Sequence, residues 1–247
     1  MSSMVFVVSL FANQIILLAI GILIGVFQRD LFSFRWLVLA VLLLTASDSM
    51  LSGFFGVIPT LIPSAQWNWQ GKVLNLILTL IVAALPRFGW KHVGLTLQQK
   101  PGSLKPAIFV ILASTLAILI FNLITPVSFE GADAETLAFQ LLMPGIDEEP
   151  VYRGILLVML GRAFCARRQF LGVAWGWGAT LSSLMFGLVH ALSFSEGKVF
   201  FDITTMAIIT GIALILVWLR LYTGSLLLPI ILHNLINTIG VILAFLE

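Results

Sequence analysis

Long apolar runs separated by short polar connections dominate this chain. They fall at residues 4–27, 34–58, 73–85, 106–124, 137–164, 171–192, 199–221 and 225–246. Most are about 20 residues long, which is what an α-helix needs to cross the hydrocarbon core of a bilayer. The third run is short and extends back through Trp69. The pattern predicts an all-α, polytopic membrane protein of about eight transmembrane helices. The first run has no basic residues before it, exceeds the apolar core of a signal peptide and has no small-residue cleavage site after it. It therefore reads as a spanning helix rather than a signal peptide.

Composition supports the membrane class. Of 247 residues, 60% are hydrophobic and only 10% charged, and the mean hydropathy is +1.10. That is far too apolar for a soluble domain of this length. Trp67, Trp69, Trp90, Trp175, Trp177 and Trp218 lie mostly near the ends of apolar runs, as anchors at the membrane interface do. A net charge of +2 is too small to argue for nucleic acid as a partner, and membrane lipid is the expected surrounding. The single cysteine, Cys165, excludes an internal disulfide and a cysteine metal cluster.

The cations give an orientation. Arg29, Arg35, Arg87, Lys91, Lys100, Lys105, Arg162, Arg167, Arg168 and Arg220 all fall on one side of an eight-span map. Only Lys72 and Lys198 fall on the other, with the acidic Glu130, Asp133 and Glu135. Basic residues accumulate on the cytoplasmic side, so both termini are expected outside. No repeat stands out, and the chain reads as one transmembrane domain, with helices over 1–135 preceding a motif-bearing core over 136–247. The stretch 89–106, with Lys-Pro-Gly in it, is the best flexible boundary.

Three stretches place acid, base and amide groups inside otherwise apolar segments: 148–153, 186–190 and 233–237. Ionisable groups at bilayer depth are costly, and default to function. On a helix, residues four apart share a face. Glu149 therefore faces Arg153, while Glu148 is rotated away and shares its face with Tyr152. On this reading Glu149 is a structural ion pair and Glu148, without a counter-ion, is the general base. Pro150 favours a helix start or a kink there. Phe186 stands four before His190 and can wall the site, and Asn237 stands four after His233. An imidazole and a carboxamide pointing into one space can donate to a developing oxyanion. Asn234 reads as helix-to-helix glue or a solvent-facing neighbour. For these groups to converge, the helix boundaries must shift or the last helix must start deep in the protein.

Absences narrow the chemistry. There is no His-Glu-x-x-His pair, no Gly-x-Gly-Asp and no Gly-x-Ser-x-Gly, so neither those zinc and aspartyl proteases nor a serine nucleophile is indicated.

At Glu148, Glu149, Arg153, Phe186, His190, His233 and Asn237 the chain resembles the CaaX-protease and bacteriocin-processing family of Abi-type glutamic intramembrane proteases. The family pattern is Glu-Glu-x-x-x-Arg, Phe-x-x-x-His and His-x-x-x-Asn, in that order on separate helices, and about the last hundred residues carry it. The resemblance implies a membrane-embedded endopeptidase without a cofactor or metal. Glu148, helped by His190, would activate a water, while His233 and Asn237 held the oxyanion. Glu149 and Arg153 would support the helix. The substrate would be a membrane-associated peptide, either a prenylated tail or a leader or signal peptide, and the setting the plasma membrane if the cell is bacterial. Two His and a Glu could instead supply three zinc ligands. A proton-coupled transporter or an idle scaffold are the non-enzyme alternatives, although no counterpart of the acidic motif occurs in the first half.

Overall fold

The computed structural model describes residues 3–125, 133–195 and 198–245. Glu130 and the predicted last spanning residue, Leu246, lie outside them. In chain order the elements are α1 (Ser3–Phe27), a 3-10 turn (Arg29–Leu31), α2 (Phe34–Leu51), the short turn α3 (Gly53–Gly56), α4 (Trp69–Ala84), α5 (Leu104–Ile124) and α6 (Ala134–Glu149). A π-helical segment (Pro150–Leu156) leads into α7 (Leu157–Ala163). The remainder is β1 (Arg168–Phe170), β2 (Val173–Trp175), α8 (Trp177–Ala191), β3 (Leu192–Ser195), β4 (Lys198–Phe201), α9 (Ile203–Thr223) and α10 (Leu227–Ala244). The protein is mostly helical, and among the described residues α2, α5, α9 and α10 are long and apolar enough to cross a membrane.

Several predicted boundaries move, each for a local reason. The run 34–58 is helical only to Leu51, because residues 53–56 turn through positive φ, from Gly53 at 58° to Gly56 at 87°. The run 171–192 does not begin as helix. Leu171 and Gly172, at φ 48° and 75°, close a two-residue hairpin that pairs Arg168 with Trp175, and α8 starts only at Trp177. Positive φ at both central residues is the turn whose twist matches paired strands. The run 199–221 likewise begins as β4, and α9 starts after Asp202. The Asp202 carboxylate accepts from the backbone N–H of Thr204 at 2.8 Å and of Thr205 at 3.2 Å, satisfying donors that a helix start leaves open. The third run does extend back to Trp69.

The chain packs as two compact units, Met1–Ala46 with Ile155–Trp218, and Ser47–Gly154 with Leu219–Glu247. In the second unit α6 lies against α10 and α4, and α5 against α10. The packing face of α4 is a stripe of small and polar residues spaced by four, Gly71, Asn75, Thr79 and Ala83, which lets helices approach closely. Gly145 of α6 does the same against α10, where a side chain would meet the Ile230 carbonyl and Asn234. In the first unit α8 packs on α7 and α1. The connection between α1 and α2 lies beside the end of α7, with Ser33 N–H donating to Ala163 at 2.8 Å and Cys165 N–H to Leu31 at 2.9 Å.

Candidate active site

The acidic motif sits where α6 gives way to the π-helical segment. Pro150 has no N–H to donate to the carbonyl four residues back, so the α-ladder cannot continue through it. The chain responds by widening into π geometry over 150–156, a rare form that is frequent at functional sites. Pro144 interrupts the ladder of α6 a turn earlier, and Asn234 of α10 bonds the backbone on either side of it. Its Oδ1 accepts from Gly145 N–H at 2.7 Å, and its Nδ2 donates to the Leu142 carbonyl at 3.3 Å. Asn234 is thus the glue between α6 and α10.

Two adjacent glutamates have different surroundings. Glu149 and Arg153 are both fully buried and meet at 2.9 Å, one turn apart. Glu149 Oε1 also receives the Nδ1–H of His233 at 2.7 Å. A carboxylate only accepts, so Nδ1 carries a proton and Nε2 is the ring nitrogen turned away from Glu149. His233 Nε2 lies 3.7 Å from Glu148 Oε2. The imidazole is therefore bracketed by both carboxylates.

Glu148 corrects one expectation, because it has a counter-ion. Lys72, in the first turn of α4, donates to Glu148 Oε1 at 2.5 Å and lies 3.1 Å from Asp147 Oδ2. Asp147 is fully buried and also accepts from Asn75 Nδ2 at 2.7 Å. In the sequence Lys72 counts only as one of two cations on the side opposite the other ten, and Asp147 and Asn75 are not among the candidate site residues. Their signal was present: Lys72 and Asn75 stand three apart on the stripe side of α4, and Asp147 precedes the glutamates.

Asn237, one turn after His233, donates from Nδ2 to Gln140 Oε1 at 3.3 Å. Tyr152 follows the glutamates in the π-helical segment, with the Arg153 guanidinium 5.9 Å from its ring centre. Glu148, Glu149, Arg153, Tyr152, His233 and Asn237 all belong to the second unit.

Phe186 and His190 belong to the first unit, on α8. Their rings are 4.6 Å apart, tilted by 51°. His190 Nδ1 lies 2.8 Å from the Phe186 carbonyl, which only accepts, so this ring too carries its proton on Nδ1 and leaves Nε2 open. Among the described residues no group of three His, Cys, Asp or Glu side chains is gathered as metal ligands would be.

A helical membrane protein with a buried acid–base cluster is thereby defined. Residues 131–239 match the family described as Type II CAAX prenyl endopeptidase Rce1-like. That stretch contains all three motifs, so the match agrees with the resemblance read from them. Neither a curated protein nor a solved structure matches the chain.

Proposed function

We propose that this protein is a multi-pass intramembrane endopeptidase of about eight spans that cuts peptide bonds with a glutamate-activated water. One observation carries the reading: His233 donates from Nδ1 to Glu149 at 2.7 Å while its Nε2 stands 3.7 Å from Glu148. One glutamate orients the ring and the other shares the space it faces. In the attack Glu148 takes a proton from water, and the hydroxide adds to the scissile carbonyl. His233 enters protonated on both nitrogens, its Nδ1–H held by Glu149 and its Nε2–H donated, with the Asn237 amide, to the tetrahedral oxyanion. The intermediate collapses as Glu148 returns its proton to the departing amine. The part of His190, accepting at Nε2 from the attacking water, rests on the order of the motifs. The family supports a membrane-associated peptide substrate, and a prenylated tail is the first to try.

Glu148→Gln keeps shape and hydrogen bonding but removes the base. It is expected to fold normally and to lose about 100-fold to 10,000-fold in cleavage. The test is turnover of a prenylated peptide by purified protein with a strong chelator present, alongside thermal unfolding. Full activity of Glu148→Gln overturns the assignment. Loss of wild-type activity in chelator, restored by zinc, favours a metalloprotease.

A further inference from the structure

The first unit contains a site that the protease chemistry does not use. An open cavity of about 470 Å³ lies between the end of α1 and the β1–β2 hairpin, lined by Gln28, Arg167, Arg168, Trp175, Trp177 and Thr180 among others. Its size is that of a small-ligand pocket. Arg167 forms part of its frame. The guanidinium donates to the carbonyls of Gly161, Phe164 and Ala166, and a side chain at Gly176 would collide with it. Arg168 is exposed, and among the described residues no ion pair involves it.

The charge around this cavity is one-sided. Arg29 stands on the α1–α2 connection with Asp30, Arg35 in the first turn of α2 and Arg162 in the last turn of α7, next to the connections that Ser33 and Cys165 tie together. Beside the arginines is an apolar collar. Phe27 is 81% exposed, Phe170 60% and Leu171 67%. Leu171 also sits at positive φ, a conformation that costs a leucine energy and that Asn or Gly would hold more easily. The hairpin tip is pinned by Trp218, whose indole N–H donates to the Leu171 carbonyl at 2.9 Å. An apolar tip held at a strained turn beside arginines and tryptophans has the make-up of a membrane interface.

We propose that this cavity binds the phosphate of an anionic glycerophospholipid, with Arg168 as its charged contact and Phe170 and Leu171 in the acyl region. Basic pockets on the cytoplasmic side of membrane proteins recognise such headgroups through charge. On the eight-span reading of the sequence, this is the side on which ten of the chain's cations gather.

The test uses the full chain in neutral detergent, titrated with phosphatidylglycerol, phosphatidylcholine or inorganic phosphate. Bound lipid is counted by native mass spectrometry, and Tm is followed. Phosphatidylglycerol is expected to be retained and to raise Tm, while the other two do neither. Arg168→Gln should weaken that binding by about fivefold, the share of one interfacial arginine. Leu171→Asn, which relieves the turn, should keep headgroup selectivity but partition less into anionic vesicles. Equal effects of the two lipids, or unchanged affinity in Arg168→Gln, overturn the proposal. A shift reproduced by inorganic phosphate alone also overturns it, by showing a site for free anions. If Arg168→Gln fails to fold, Gln169→Glu sets a negative charge against the phosphate on the cavity wall and must weaken binding likewise. Peptide cleavage is not read, so the outcome is independent of the protease assignment.

Discussion

Among the described residues, the second unit pairs buried acids with bases, whereas Arg167 of the first rests on backbone carbonyls. Between α4, α6 and α10, Lys72 serves Asp147 and Glu148, and Arg153 and His233 both serve Glu149. At the end of α7, Arg167 is satisfied by backbone carbonyls, and Arg162 lies 4.6 Å from the centre of the Trp36 ring. Backbone carbonyls and an aromatic face suit a cation that still reaches water. A buried carboxylate has no such recourse and must be given a cation or a proton. On the proposed function, the second unit's cluster is charge kept for chemistry and the first unit's arginines are charge kept for orientation.

The strongest way to break this contrast is to remove one acid from the paired cluster. Glu149→Gln leaves Arg153 fully buried without its anion and His233 without its orienting carboxylate. Breaking a buried pair by deleting one partner typically costs about 3 to 5 kcal/mol. The variant should accumulate poorly, and what survives should unfold at much lower temperature than wild type or Glu148→Gln in the same detergent. Equal stability of the two glutamine variants would erase the distinction between the neighbouring carboxylates.

Lys72→Met asks whether the second cation is structural or chemical. Its side chain is 12% exposed and Glu148 is 18% exposed, so water offsets part of the loss and about 1 to 3 kcal/mol is expected. Asp147 and Glu148 would then stand side by side without the ammonium between them. Cleavage should fall with stability in Lys72→Met and recover substantially in Lys72→Arg, which restores charge. Loss in both, at equal stability, would mean that the reaction needs the ammonium's shape and reach.

How far these features were legible follows the same divide. The Glu149–Arg153 pair followed from helical spacing alone, because partners one turn apart need only local geometry. The Asn234 reading as glue was also accessible, since a small amide in an apolar helix has few other roles. The counter-ion of Glu148 was not accessible by spacing. Lys72 is 76 residues away, and only the packing of α4 on α6 brings it in. Hairpins were missed because Leu171, Val199 and Phe200 are apolar, and hydropathy alone cannot separate a short exposed hairpin from the start of a helix. The start of the last helix is fixed by a tertiary contact that spacing does not reveal. Leu226 N–H donates to the Gly94 carbonyl at 2.8 Å, so α10 starts at a loop within its own unit, and His233 is only six residues on.

On the first unit's side of the comparison, Arg167→Gln should have a smaller effect. It removes the guanidinium from carbonyls at the end of α7, where partial exposure lets water replace it. A loss of about 1 to 2 kcal/mol is expected, in the range of hydrogen bonds to a charged group less their hydration. Cleavage per folded molecule should be unchanged. A drop in specific activity larger than the drop in stability would mean that the arginine end communicates with the chemistry.

The smallest effect is a pH dependence at the entrance to α6. Asp133 accepts from the Thr136 backbone N–H at 2.8 Å, and its other oxygen accepts from Gln66 Nε2 at 2.8 Å. The backbone bond from Thr136, with its hydroxyl, holds this carboxyl below the usual carboxylate range. A carboxyl whose folded pKa is depressed contributes stability above its unfolded pKa, and that contribution disappears as pH falls through the folded value. Asp133→Asn still caps the helix, since Asn is as good a cap, but its contribution does not titrate. Wild type should therefore exceed Asp133→Asn in Tm at neutral pH, and the gap should close only below the ordinary carboxylate range. A gap that stays constant into acid would assign the cap to shape alone, and leave the acidic motif, not its helix start, as the place where charge matters in this unit.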